Sequence, residues 1–180
     1  MRADALRNRQ RLLDAAKHLF ATGTDTGPEA IAREAGVGVG TLYRHFPDRE
    51  ALAAAVYEDE LAHVAAAAGE LLAAHPPIAA LRAWMDCFGD RLAAKRAMGD
   101  AMRSLAGSGI VTAQGTRARL AAAARELLDA GVADGTLRAD VAADDLVVAL
   151  LGVFLACPEP GQRDQAGRLL DLLVSGIETA

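Results

Sequence analysis

Residues 38–46 read Gly-Val-Gly-Thr-Leu-Tyr-Arg-His-Phe. Set at the 100° per residue of a helix, Val39, Leu42 and Phe46 fall within an arc of about 60° and form an inward face. Gly40, Thr41 and Arg44 lie opposite, with Tyr43 and His45 on the flanks. That outward set has the chemistry to read a nucleic-acid duplex. Arginine bonds guanine edges bidentately, threonine meets a thymine methyl, and tyrosine and histidine reach phosphate oxygens. The bare Gly40 lets another backbone come close. The competing reading is a plain amphipathic helix that packs on its neighbours.

These side chains need an element that holds them out, and the flanking sequence supplies one. A short helix is predicted from Pro28, where a missing N–H costs nothing, with Thr26 and Glu29 at the spacing of a capping box. Gly36 ends it by allowing positive φ. A second helix runs from about Gly38 to Phe46 and is stopped by Pro47. Two short helices around a glycine turn, residues 31–46, make a helix-turn-helix. Ahead of them, a helix over about 5–22 carries the apolar stripe Leu12, Leu13, Ala16, Leu19 and Phe20. Its start is crowded by Arg2, Arg7, Arg9 and Arg11, which read either as phosphate contacts or as a solvated face. After Pro47, Asp48 is an N-cap for a long helix over about 49–74, whose N–H groups together with Arg49 suit a phosphate.

A family resemblance rests on these residues. Leu19-Phe20-Ala21, Ile31-Ala32, Ala35-Gly36-Val37, Gly40-Thr41-Leu42-Tyr43-Arg44-His45-Phe46 and Arg49-Glu50-Ala51-Leu52 occur in the order and spacing that resemble the TetR family of bacterial transcriptional regulators. The likeness covers about residues 9–57; beyond it, only the pattern of helices is similar. The connection from Gly23 to Pro28 is about a residue shorter than the family pattern, which usually places a Ser or Thr near the start of the second helix; here Thr26 takes that place. The resemblance implies an all-α fold of about nine helices. Residues 1–47 would be a three-helix DNA-binding domain, and 48–180 a helical ligand-binding and dimerisation domain. It also implies DNA contacts at Thr26, Gly40, Thr41, Tyr43, Arg44, His45 and Arg49, and a repressor released from a palindromic operator by a small, largely apolar effector.

Composition agrees with the all-α reading. Of 180 residues, 52% are hydrophobic and only 4% aromatic, with alanine and leucine dominant. Net charge is −5, unevenly placed: residues 1–50 carry 8 Lys/Arg against 7 Asp/Glu, and residues 51–180 carry 11 against 17. A basic-leaning start on an acidic body excludes a general polyanion binder and leaves local phosphate contact open. Only Lys17 and Lys95 are lysines among 19 basic residues. There is no signal-peptide pattern, and the longest apolar run, 146–157, is too short to span a bilayer, so a soluble cytoplasmic protein is expected.

Other chemistry finds little support. Asp14 and His18 have i,i+4 spacing but lie opposite the apolar stripe, without a third partner, and read as a surface pair. His63 and His75 have no ligand-spaced partners, so no metal and no cofactor is expected. Cys87 and Cys157 read as reduced core residues, with redox sensing the alternative. No carboxylate pair, nucleophile triad or phosphate-cradling glycine motif indicates an enzyme.

The rest of the chain reads as further helices over about 78–96, 98–107, 111–130 (ended by Gly131), 141–157 and 161–178. Trp84, Met85, Phe88, Leu92, Met98 and Met102 gather adaptable bulk that suits an apolar pocket or simply a core. From the same body, Leu127 joins the ligand-lining candidates. Leu146 to Cys157 is apolar all round, and the last helix repeats Ala166, Leu169, Leu170, Leu173 and Ile177 along one stripe. The pair reads as a dimer interface of four helices across a two-fold axis, or as a buried centre of a monomer. The rival to a regulator is a helical carrier for apolar molecules, for which the polar face of 40–45 has no use.

Overall fold

The computed structural model describes residues 2–22, 27–97 and 113–179. Eight α-helices occur among them: α1 (Arg2–Thr22), α2 (Pro28–Glu34), α3 (Val39–His45), α4 (Arg49–Ala74), α5 (Pro77–Ala97), α6 (Ala113–Ala133), α7 (Ala143–Ala156) and α8 (Arg163–Ile177). A 3₁₀ turn, Pro160–Gln162, precedes α8. The helix expected near 98–107 lies outside the described residues. The fold is all-α, and none of the described helices is long and apolar enough to cross a membrane.

The backbone forms two compact units, the first containing Met1–Glu60 and the second Leu61–Ala93 with Ala113–Ala180. In the first, α2 and α3 are seven residues each, too short to be stable alone in water. They are held by a common core in which Leu12, Leu13, Ala16 and Phe20 of α1 meet Ile31, Leu42, Phe46, Leu52 and Val56. The stripe read from the sequence of α1 is thus its buried face, with Leu19 half-buried at its edge.

The local signals decide where these helices start and stop. The N-cap of α2 is Gly27, in extended conformation and without a side-chain cap, with Pro28 at the first helical position. Glu29 is therefore one position too early for the expected capping box, and Thr26 lies outside the described residues. Gly36 at φ +64° ends α2. Val37 N–H donates to the Ala32 carbonyl at 2.9 Å and Gly36 N–H to that of Arg33 at 3.0 Å, a Schellman ending in which the left-handed turn at Gly36 lets two N–H groups satisfy otherwise orphaned carbonyls. Asp48 caps α4 as expected, its Oδ1 accepting from the Ala51 N–H at 2.7 Å.

In the second unit, α6 packs on α7 and α7 on α8, around Leu81, Trp84, Met85, Leu127, Leu150 and Leu170, all without accessible surface. Trp84 Nε1–H donates to the Val64 carbonyl at 2.9 Å, so the largest side chain of the core leaves no polar group unpaired. The sequence places the end of α6 at Gly131, yet the helix continues to Ala133. Gly131 serves packing instead: a Cβ there would stand 2.4 Å from the side chain of Leu137, which folds back beneath the helix end and is buried. The segment after it is tied to the end of the chain, with Arg138 N–H donating to Ile177 and Thr179 N–H to Thr136. At the edge of α5, Arg82 holds Asp171 of α8 at 2.6 Å and also pairs with Asp86, while Arg163 reaches Asp90 at 2.9 Å.

Candidate nucleic-acid interface

Two helices and the start of a third place the polar residues read from the sequence. Leu42 and Phe46 anchor α3 in the core, which turns the opposite face of α3 outward. Gly40, Tyr43 and Arg44 are exposed, while Thr41 and His45 are half-buried. Val39 was expected on the inward face, but it is exposed. It sits on the first turn of α3, beyond the reach of the core that Leu42 and Phe46 fill. Among the described residues no side chain pairs with the Arg44 guanidinium or the Tyr43 hydroxyl, so their hydrogen-bonding capacity points to solvent. A Cβ on Gly40 would meet nothing within 4 Å, which leaves the middle of α3 open to close approach.

Tyr43 and Arg49 come together. They line one open cleft of about 320 Å³ whose floor is Ile31, Leu42 and Leu52, with Pro28 and Asp48 at its sides. The first N–H groups of α4 border that cleft. A tyrosine and a guanidinium thus share a cleft with an apolar floor, beside the Asp48 carboxylate that already caps the start of α4. His45 stands apart from it, its ring 6.1 Å from that of Phe46.

Two arginines of α1 frame the same region. The Arg9 guanidinium lies over the Phe46 ring, 5.5 Å from its centroid, a cation–π contact that holds a charge beside the end of α3. A Cβ on Gly36 would stand 2.6 Å from an Arg11 guanidinium nitrogen, which places Arg11 over the turn that precedes α3. Arg7 instead pairs with Asp4 on its own helix. The sequence shows four arginines near one another; only packing separates the two beside α3 from the one that is occupied.

The candidate ligand-lining residues are placed differently. Trp84, Met85, Phe88 and Leu127 are buried side by side with the core of the second unit, and Phe88 meets both Trp84 and Phe154 ring to ring. Met98 and Met102 lie outside the described residues. Cys157 is buried, whereas Cys87 is half-buried, a departure from its reading as core: it stands beside Asp86 on the edge of α5. Asp14 and His18 are exposed, as read. Asp59, Glu60 and His63, on one turn of α4, bring three ligand-type atoms within 4.8 Å, a grouping that the sequence reading passed over.

Comparison with known proteins places this arrangement. Residues 12–56 match the family model of bacterial regulatory proteins of the tetR family. Residues 76–179, more than half of the chain, match the C-terminal domain of SbtR-like transcriptional regulators. A TetR transcriptional regulator from Streptomyces coelicolor is 42% identical, with 96% of this chain and 99% of that one covered and a TM-score of 0.84.

The chain belongs to the TetR family of bacterial transcriptional regulators. A TetR transcription regulatory protein from Mycobacterium vanbaalenii is 36% identical, with 99% of each chain covered and a TM-score of 0.76. An HTH-type transcriptional regulator of Staphylococcus aureus is 44% identical over 66 residues, 34% of each chain. This TetR-family chain therefore spans about a third of the length of the curated relatives it matches. Those relatives are transcriptional regulators.

Proposed function

We propose that this TetR-family chain is a homodimeric repressor that binds a palindromic DNA operator and is released by a small, largely apolar effector. The observation that carries it is the outward face of α3, where Arg44 and Tyr43 are exposed and without partners among the described residues. In this reading Thr41 and Arg44 contact base edges, and Gly40 admits the groove wall. Tyr43 and Arg49 hold a backbone phosphate over their shared cleft, with His45 and Thr26 as further phosphate contacts.

Dimerisation is inferred from α7 and α8. Val148, Leu155 and Leu172 are 47%, 65% and 69% exposed. A Cβ on Gly152 or Gly176 would meet nothing within 4 Å. Large apolar groups beside bare glycines on two neighbouring helices suit a partner's helices at close range. A two-fold axis there would set two α3 helices in successive major grooves, about 34–36 Å apart. The effector would enter the second unit near Trp84, Met85, Phe88 and Leu127. It would act through α4, and only if it binds the two states with different affinity.

Selection from random duplex DNA, with the oligomeric state followed by light scattering, tests this directly. A palindrome with half-sites one or two turns apart is the expected result. A folded dimer that enriches no sequence at low salt overturns it, and the apolar carrier then becomes the working description.

A further inference from the structure

Lys17 has no part in the contacts above, yet it makes two largely enclosed ion pairs within the first unit. Its Nζ is 2.5 Å from Asp59 Oδ2 and 2.8 Å from Glu60 Oε1, with the three side chains 21%, 17% and 13% exposed. Gln10, two turns earlier on α1, donates to Asp59 at 3.4 Å and to Asp14 at 3.1 Å. One face of α1 thus grips α4 at consecutive residues. Burial pulls the Lys17 pKa down, but the hydrogen bonds and charges of Asp59 and Glu60 outweigh it and hold the pKa above the ordinary lysine value.

The place of the grip matters as much as its strength. Glu60 is the last residue of α4 in the first unit, and from Leu61 the same helix belongs to the second. Upstream, α4 is fixed by apolar contacts of Leu52, Ala53 and Val56, which are non-directional and let a helix tilt. The Lys17 pairs add direction at the exit point. Their low exposure leaves them less screened than surface pairs. The residue type fits the task as well. In a chain with 17 arginines and two lysines, a compact ammonium with three donors can serve two carboxylates on successive helical positions, whereas a planar guanidinium fork matches one.

We propose that Lys17 is a positioning residue: by holding Asp59 and Glu60 it fixes the direction in which α4 leaves the DNA-reading unit, and so the half-site spacing the dimer accepts. The proposal rests on the operator-binding reading above. It makes Lys17 a determinant of spacing specificity that touches no base or phosphate. With the clamp intact, a one-base-pair insertion, which turns one half-site by about 35° relative to the other, cannot be followed. With the clamp released, α4 tilts and follows it.

Two measurements test this on the full-length chain. In the first, spin labels at Ala21→Cys and Ala66→Cys, in a Cys87→Ser/Cys157→Ser background, report the distance distribution between α1 and the second half of α4. Lys17→Met should broaden it, and so should Asp59→Asn/Glu60→Gln, which keeps the side-chain shapes. In the second, affinity is measured for the selected operator and for the same operator with one base pair inserted between half-sites. The unaltered chain should lose at least about 30-fold on insertion and either clamp variant at most about 3-fold, with the two sets of substitutions non-additive. An unchanged distance width overturns the proposal, with or without DNA. So does a broadened width with an unchanged insertion penalty, since the clamp would then be structural only. Failure to obtain any operator instead overturns the DNA-binding reading, and the first measurement still decides whether Lys17 directs α4.

Discussion

The two units of this protein use their side chains in opposite ways. In the first, the core is small and the informative residues face out: Leu42 and Phe46 are buried so that Gly40, Tyr43 and Arg44 can be exposed. In the second, the most distinctive side chains face in, with Trp84, Met85 and Leu127 fully buried. A surface that reads another molecule must spend polar groups at fixed intervals, a set of donors that a helix packed only for structure does not need. A pocket for an apolar ligand is built from the residue types that build a core, and so it carries no separate signature.

Substitutions can sharpen or break this contrast. The largest effect on folding should come from the second unit. Trp84→Ala removes a fully buried indole together with its hydrogen bond to the Val64 carbonyl, and should cost about 3–5 kcal/mol of stability by denaturant unfolding. If that variant stays near unaltered stability, the region around Trp84 is loosely packed and the pocket reading gains.

Next comes the exposed apolar surface. Leu172→Glu would set two carboxylates near a two-fold axis and should weaken the dimer by at least about 30-fold in analytical ultracentrifugation. No change would place the dimer elsewhere or leave the chain monomeric.

In the first unit the expectation reverses, with function lost and stability kept. Arg44→Ala should cost about 1–3 kcal/mol of operator binding and relax specificity at one base position, with an unchanged melting temperature. A fall in melting temperature alongside the binding loss would mean that Arg44 also supports the fold. The smallest effect separates helix capping from phosphate binding at the same helix end. Asp48→Ala loses the bond to the Ala51 N–H and should destabilise by about 1 kcal/mol. Because it also removes a negative charge beside the Tyr43–Arg49 cleft, operator affinity of the folded protein should rise slightly.

The comparison also explains which parts could be read in advance. Helix ends were legible wherever one residue carries the reason: Pro28 and Gly36 bound α2, Asp48 starts α4, and Pro47 follows the end of α3. Where a helix end depends on what packs beneath it, reading failed. Gly131 looks like a stop, but α6 runs through it because the missing side chain makes room for Leu137. Val39 fails for a related reason. Periodicity assigns a direction around α3 but not how far along it the core extends.

By itself, the sequence determined the all-α fold, the helix-turn-helix and the exposure of Gly40 and Arg44; it set Thr41 on the same outward face, where the structure leaves it half-buried, and Tyr43 on a flank, where it is exposed. Those follow from local rules of periodicity, capping and turn chemistry, which act over a few neighbouring residues. Only the tertiary structure decided that Arg9 rests on Phe46, that Arg11 covers Gly36, and that Lys17 grips Asp59 and Glu60 across 42 residues of chain. Such pairings depend on which faces of two helices meet. That is settled by burying the common apolar core, and no spacing along the chain records it.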